Sequence, residues 1–107
     1  MDLIPVLEQM SGLSGPSGFE RPVAEAAAAL LRPYMEETYI DRYGNVVGIR
    51  RCGLPGAKRL LLDAHLDEVG LVVTGIEKGF LRFRAIGGVD PRILPDQRVQ
   101  ILTEPVT

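Results

Sequence analysis

Apolar residues recur at helical spacing in the first third of the chain. Leu3, Val6, Leu7 and Met10 follow the i, i+3, i+4, i+7 pattern of one helix face. This pattern predicts a short helix that ends near Gly12. A second stripe predicts a helix that begins between residues 18 and 22 and ends at Pro33. The residues of that stripe are Val23, Ala26, Ala27, Leu30 and Leu31.

From Glu37 onward, the apolar period changes to that of β-structure. Residues 80–86 alternate apolar and basic side chains, which is typical of an antiparallel strand with one solvated face. The run of three leucines within residues 58–64 favours a buried strand covered on both faces. Glycine-containing turns separate the segments. The predicted strands are residues 38–41, 45–51, 58–64, 69–76, 80–86 and 98–102.

The order of elements predicts a mixed α/β fold in which two parts of different architecture join near Gly70. The first part, helix-helix-strand-strand-strand, is α/β in style. The second part consists of short antiparallel strands joined by glycine turns, as in a small barrel. Ser17 and Glu20 have capping-box spacing, which predicts that they cap the second helix together.

Composition indicates an ordinary globular protein: one small domain or pieces of a larger one. The 107 residues are 46% hydrophobic and 24% charged, with a net charge of -2. No basic excess indicates a nucleic-acid partner, and no apolar run is long enough to cross a bilayer. The start, Met1-Asp2-Leu3, lacks the basic region of a secretory signal. The one cysteine, Cys52, cannot form an internal disulfide. We therefore expect a cytoplasmic protein.

His65, the only histidine, lies two residues before Asp67 at the exit of the apolar run. A His-x-Asp pair at a strand end can place a metal ligand beside the carboxylate that orients it. The imidazole would donate its other ring N–H to Asp67 or to a backbone carbonyl. One histidine cannot build a metal site alone, so these residues by themselves favour a hydrogen-bonded structural histidine.

The neighbouring carboxylates are further candidates. Asp63 lies on the same strand face as His65 and is interpreted as a solvated or capping carboxylate, whereas Glu68 points to the opposite face and is interpreted as structural support. A glycosidase pair of Asp63 and Asp67 would span about 13 Å along a strand. That separation is too long for either glycosidase geometry.

Several segments, in this order, resemble the dinuclear metallo-aminopeptidases of the glutamyl or deblocking type. These enzymes form tetrahedral particles and are sometimes labelled cellulase or endoglucanase. The matching segments are residues 13–20, 41–48, 64–70, 80–83, 86–90 and 95–99. Asp96 departs from the pattern, because the family usually has glycine there.

The resemblance implies a catalytic role for part of this chain. Residues 1–69 would belong to an α/β catalytic domain and residues 70–107 to the start of an inserted β-barrel dimerisation domain. His65 would ligate one of two zinc or cobalt ions, and Asp67 would be the catalytic-site residue that orients its imidazole. The other ligands and the general base would follow the inserted domain.

The implied function is therefore that of an aminopeptidase fragment, inactive alone, from a hydrolase that acts on peptides. Its expected partners are further copies of the chain or the rest of the fold, with no nucleic acid and no membrane. The alternative is a stand-alone, non-catalytic interaction module derived from the same fold.

Overall fold

The computed structural model describes residues 2–103, which form a mixed α/β arrangement with two separate two-stranded antiparallel sheets. The helices are α1 (Ile4–Ser11) and α2 (Arg21–Leu31). The strands are β1 (Glu37–Ile40), β2 (Val46–Ile49), β3 (Gly70–Glu77) and β4 (Phe80–Ile86). Single 3-10 turns occupy Arg32–Tyr34 and Pro91–Ile93. Over residues 2–103, no helix has the length and apolarity needed to cross a membrane.

Both helices predicted from the apolar period are confirmed. Each carries a proline in its first turn, where the missing N–H removes no intrahelical hydrogen bond. The N–H of Gly12 donates to the carbonyl of Glu8 at 3.0 Å and closes the last turn of α1. Helix α2 runs directly into the 3-10 turn that contains Pro33, as its pattern predicted.

Helix α2 supplies the small core and packs against β1 and β2. Val23, Ala24 and Ala28 are the buried hydrophobic side chains within residues 2–103, at 4%, 1% and 1% exposure. Gly48 of β2 lies under the side chains of Leu31 and Met35, so that the strand can approach the helix closely. Small residues at this contact give close packing but bury little apolar area.

The β1–β2 hairpin closes through a side chain. One carboxylate oxygen of Asp41 accepts from the N–H of Tyr43 at 2.8 Å and from the N–H of Asn45 at 2.9 Å. The side-chain amide of Asn45 donates to the other oxygen at 2.9 Å. This amide is the main reason that the pKa of Asp41 lies below its usual value, because hydrogen bonds to the carboxylate favour its charged form.

The β3–β4 hairpin closes through its backbone conformation. Lys78 and Gly79 both have positive φ, at 50° and 83°, which suits the twist of a two-residue hairpin turn. The glycine-containing turn predicted between residues 76 and 80 is confirmed. The β3–β4 register shifts between Val73 and Gly75, which marks a bulge in β3.

Two predicted strands are wrong for residues 2–103. Residues 58–64 form no strand, and Leu60, Leu61 and Leu62 are 84%, 86% and 85% exposed. Residues 98–102 also form no strand. A strand requires a neighbour for its backbone N–H and C=O groups, and the four strands observed pair only within their own hairpins. The apolar composition of a segment does not show whether a neighbouring strand is present to pair with it.

The described chain is elongated. Its radius of gyration is 18.2 Å and its principal extents are 65 × 32 × 23 Å. A compact domain of this length would have a radius of gyration of about 13 Å. Residues 2–103 therefore do not close around one core, which favours pieces of a larger domain over one small domain.

The contact between Gly15 and helix α2 leaves no room for a side chain. A Cβ at Gly15 would lie 2.5 Å from Cγ2 and 3.3 Å from Cβ of Val23, which is buried and stiff. We expect Gly15→Ala to lower the free energy of unfolding by about 1–3 kcal/mol, as overpacking does. Chemical denaturation measures this change. Gly88→Ala is the matched control, because a Cβ there has no atom within 4 Å. An equal loss of unfolding free energy in both variants would contradict a clash at Gly15.

Candidate metal-ligand site

His65 lies on an exposed, irregular segment just before β3. Its side chain is 85% exposed, and residues 51–67 contain no strand. The expected position at the carboxyl end of a buried strand is therefore wrong, because residues 58–64 have no paired neighbour. The approach to His65 is open to solvent on the side away from Asp67.

The imidazole of His65 is held on one side by Asp67. Its Nδ1 lies 2.9 Å from the backbone carbonyl oxygen and 3.1 Å from the carboxylate Oδ1 of Asp67. Both partners are acceptors, so Nδ1 carries the proton and donates to them. The other nitrogen, Nε2, then carries the lone pair and faces away from these contacts. The predicted contact is present, while the roles in metal binding and catalysis stay predictions.

Ser17 holds the second oxygen of the same carboxylate. Its hydroxyl donates to Oδ2 of Asp67 at 2.5 Å, across 50 residues of sequence. This hydrogen bond is the largest cause that lowers the pKa of Asp67, burial opposes it, and the contact with His65 lowers it further. Asp67 is therefore held as a carboxylate, the form that accepts from both neighbours.

Main-chain contacts place Ser17 beside Asp67. We call residues 14–18 the N-terminal loop and residues 65–68 the motif segment. The N–H of Glu68 donates to the carbonyl of Gly15 at 3.0 Å, and the N–H of Gly15 donates to the Glu68 carboxylate at 2.9 Å. Pro16 and Glu68 form a parallel bridge. Glu68 thus gives the structural support expected of it.

The predicted capping box is wrong. The carboxylate of Glu20 accepts from the N–H of Gly18 at 2.7 Å, and no side chain caps the N-terminus of α2. The hydroxyl of Ser17 turns instead to the motif segment. The spacing rule describes local bonds, so nothing in it could reveal a partner 50 residues away.

The described residues provide one candidate metal ligand and no complete site. Residues 2–103 contain no cluster of three or more His, Cys, Asp or Glu side chains that could hold an ion. Asp63 is exposed, and Cys52 is free and exposed. The donor chemistry of His65 fits a single ligand position, because Nδ1 is engaged and Nε2 is free to bind.

Proteins similar to this chain include aminopeptidases and a protein described as an endoglucanase. The chain is 35% identical over 92 residues to the lysyl aminopeptidase of Pyrococcus furiosus, covering 84% of this chain and 26% of that protein. The endoglucanase structure from Thermotoga maritima matches 83% of this chain and 29% of its own, at 42% identity and a TM-score of 0.75.

A TET aminopeptidase structure from Thaumarchaeota archaeon SCGC AB-539-E09 matches 85% of this chain and 25% of its own, at 33% identity and a TM-score of 0.76. The chain therefore spans less than a third of each of these proteins. The shared arrangement is that of a peptidase α/β fold. Residues 44–106 match the M42 glutamyl aminopeptidase family, and the chain belongs to that family.

The pairing of Glu68 with Gly15 can be tested through stability. Glu68→Ala leaves the N–H of the buried Gly15 without its carboxylate partner. We expect a loss of about 1–3 kcal/mol in the free energy of unfolding, the usual cost of an unsatisfied buried donor. Urea denaturation measures it, with Asp63→Ala on the exposed segment as the control. An unchanged unfolding midpoint for Glu68→Ala would show that the loop is held without this carboxylate.

Proposed function

We propose that this chain is part of a metal-dependent M42 aminopeptidase that removes N-terminal residues from peptides, and that His65 ligates one of its metal ions. The observation that carries the proposal is the geometry of His65 and Asp67. Asp67 engages Nδ1 through two oxygens, so the lone pair is on Nε2, and the ring is exposed for a further contact. A ligating histidine almost always donates its other N–H in this way.

Zinc or cobalt is the proposed ion, because both accept imidazole ligands. A bound pair of such ions would polarise the scissile carbonyl and lower the pKa of a water molecule. This chain is proposed to bind one ion and to orient its ligand. Asp67 fixes the tautomer of His65 and makes the imidazole a stronger electron-pair donor to the metal. Asp67 is proposed to act on the site through His65.

The remaining ligands and the general base are proposed to come from outside residues 2–103. A dinuclear site needs about five or six nitrogen or oxygen ligands and a base near the water. Residues 2–103 hold no cluster that meets this need, and the chain spans 26% of the lysyl aminopeptidase it matches. We therefore propose that the isolated chain is inactive.

Two domains are proposed, with residues 1–69 in the catalytic α/β domain and residues 70–107 at the start of an inserted β-barrel. In support, residues of β3 and β4 line an open groove of about 660 Å³ together with Val99 and Ile101. A barrel interior would contain such a face. The barrel is proposed to join copies of the chain in a homo-oligomer.

The pI of 5.3 and the single free cysteine fit the proposed cytoplasmic location. Peptides are the proposed substrates, and the lysyl and TET aminopeptidases among the similar proteins support this choice. No observation favours the alternative of a non-catalytic interaction module.

The proposal is tested by release of nitroaniline from amino-acid nitroanilides with added zinc or cobalt. We expect no release by the 107-residue chain and robust release by a longer protein that carries it. In the longer protein, His65→Ala should lower kcat at least about 100-fold and reduce bound metal, since even groups behind a ligand matter 10- to 100-fold. Asp63→Ala, on the same exposed segment, is the control.

Two outcomes would count against the proposal. Release by the isolated chain that His65→Ala abolishes would show that the site is complete without other residues. Full activity and metal content in His65→Ala of the longer protein would show that His65 is not a ligand.

A further inference from the structure

We propose that Ser17 is a positioning residue, which orients the carboxylate of Asp67 and through it the imidazole of His65. The three side chains form one chain of hydrogen bonds. The hydroxyl of Ser17 donates to Oδ2 of Asp67 at 2.5 Å, and Oδ1 lies 3.1 Å from Nδ1 of His65. Within residues 2–103 no hydrogen bond joins Ser17 to His65 directly, so Ser17 is proposed to act through Asp67.

The geometry of the carboxylate explains why a second partner matters. A carboxylate held by one oxygen can still rotate about the bond that joins it to Cβ, since this torsion is broad. With Oδ1 on the imidazole and Oδ2 on the hydroxyl, the plane of the Asp67 carboxylate is fixed at both ends. The ring Nδ1–H of His65 then has a fixed acceptor, and the direction of Nε2 is fixed with it.

Ser17 can do this because its loop is anchored independently of Asp67. Gly15 forms two hydrogen bonds with Glu68, and the Cβ of Pro16 packs so closely on Gly70 that a Cβ there would lie 2.8 Å away. Both Ser17 and Asp67 are half-buried residues, although the Asp67 side chain keeps 41% exposure. The N-terminal loop is thus held at Gly15 and Pro16 and presents the Ser17 hydroxyl to the motif segment.

The inference rests on the proposed function in one respect: fixing the direction of Nε2 preorganises His65 to bind a metal ion. The hydrogen-bond chain itself requires no metal. It can therefore be tested in the metal-free protein, where the result does not depend on whether the protein is a peptidase.

The test is the tautomer of the neutral His65 ring, measured by long-range ¹H–¹⁵N NMR on the full chain after dialysis against a chelator. Loss of the signal in His65→Gln assigns the resonances. We expect the wild type to favour the form with the proton on Nδ1. Ser17→Ala should lower the ratio of Nδ1–H to Nε2–H about fivefold, the equilibrium factor of one ordinary hydrogen bond.

The Asp67 carbonyl still accepts from Nδ1 in this variant, so some preference for the Nδ1–H form should persist. Ser17→Thr keeps the hydroxyl and should restore the wild-type ratio. Ser14→Ala is the matched control, because the Ser14 hydroxyl is on the same loop but contacts Gln100. Should Ser17→Ala unfold, Ser17→Cys replaces it as a weaker donor of similar size.

A double-mutant cycle separates positioning from general loosening of the loop. Ser17→Ala should change nothing further in an Asp67→Ala background, because the hydroxyl acts only through that carboxylate. The proposal is overturned by an unchanged tautomer ratio in Ser17→Ala, by an equal change in Ser14→Ala, or by the same change in the Asp67→Ala background. A failed peptidase assay alone would leave this result standing.

Discussion

The pairing of Gly15 with Glu68, through one backbone and one side-chain hydrogen bond, connects the two halves of this molecule. Helices α1 and α2 with the β1–β2 hairpin form one packed group, and the β3–β4 hairpin forms another. The N-terminal loop joins them through two hydrogen bonds to Glu68 and one hydroxyl on Asp67. Because this joint includes the motif segment, the same contacts that connect the halves also fix the surroundings of His65.

Local physics made much of this structure predictable. The apolar periods of α1 and α2 and the alternation of β4 are properties of a few consecutive residues, and they located these elements correctly. The turn between β3 and β4 was predicted from its glycine, and the structure gives both Lys78 and Gly79 a positive φ. The contact of His65 with Asp67 was also predictable from local sequence, because only one residue separates them.

Long-range physics explains what the sequence could not show. The leucines of residues 58–64 predict a buried strand, yet a strand is buried only when other elements pack on it. The composition of the segment does not specify those elements. Ser17 was assigned to a helix cap because Glu20 stood at the right spacing, whereas its actual partner lies 50 residues away. The Ser17–Asp67 contact needed the fold, because only the loop anchored by Gly15 brings the hydroxyl near.

The uncovered leucines at positions 60–62 are bounded by charge on both sides. Lys58 and Arg59 precede them, and Asp63 follows. Short apolar runs of this kind can stack into intermolecular β-structure, and flanking charges act as gatekeepers against it, since parallel, in-register copies would bring like charges together. The charged residues on both sides of the exposed leucines are therefore placed to oppose parallel stacking of this segment between copies of the chain.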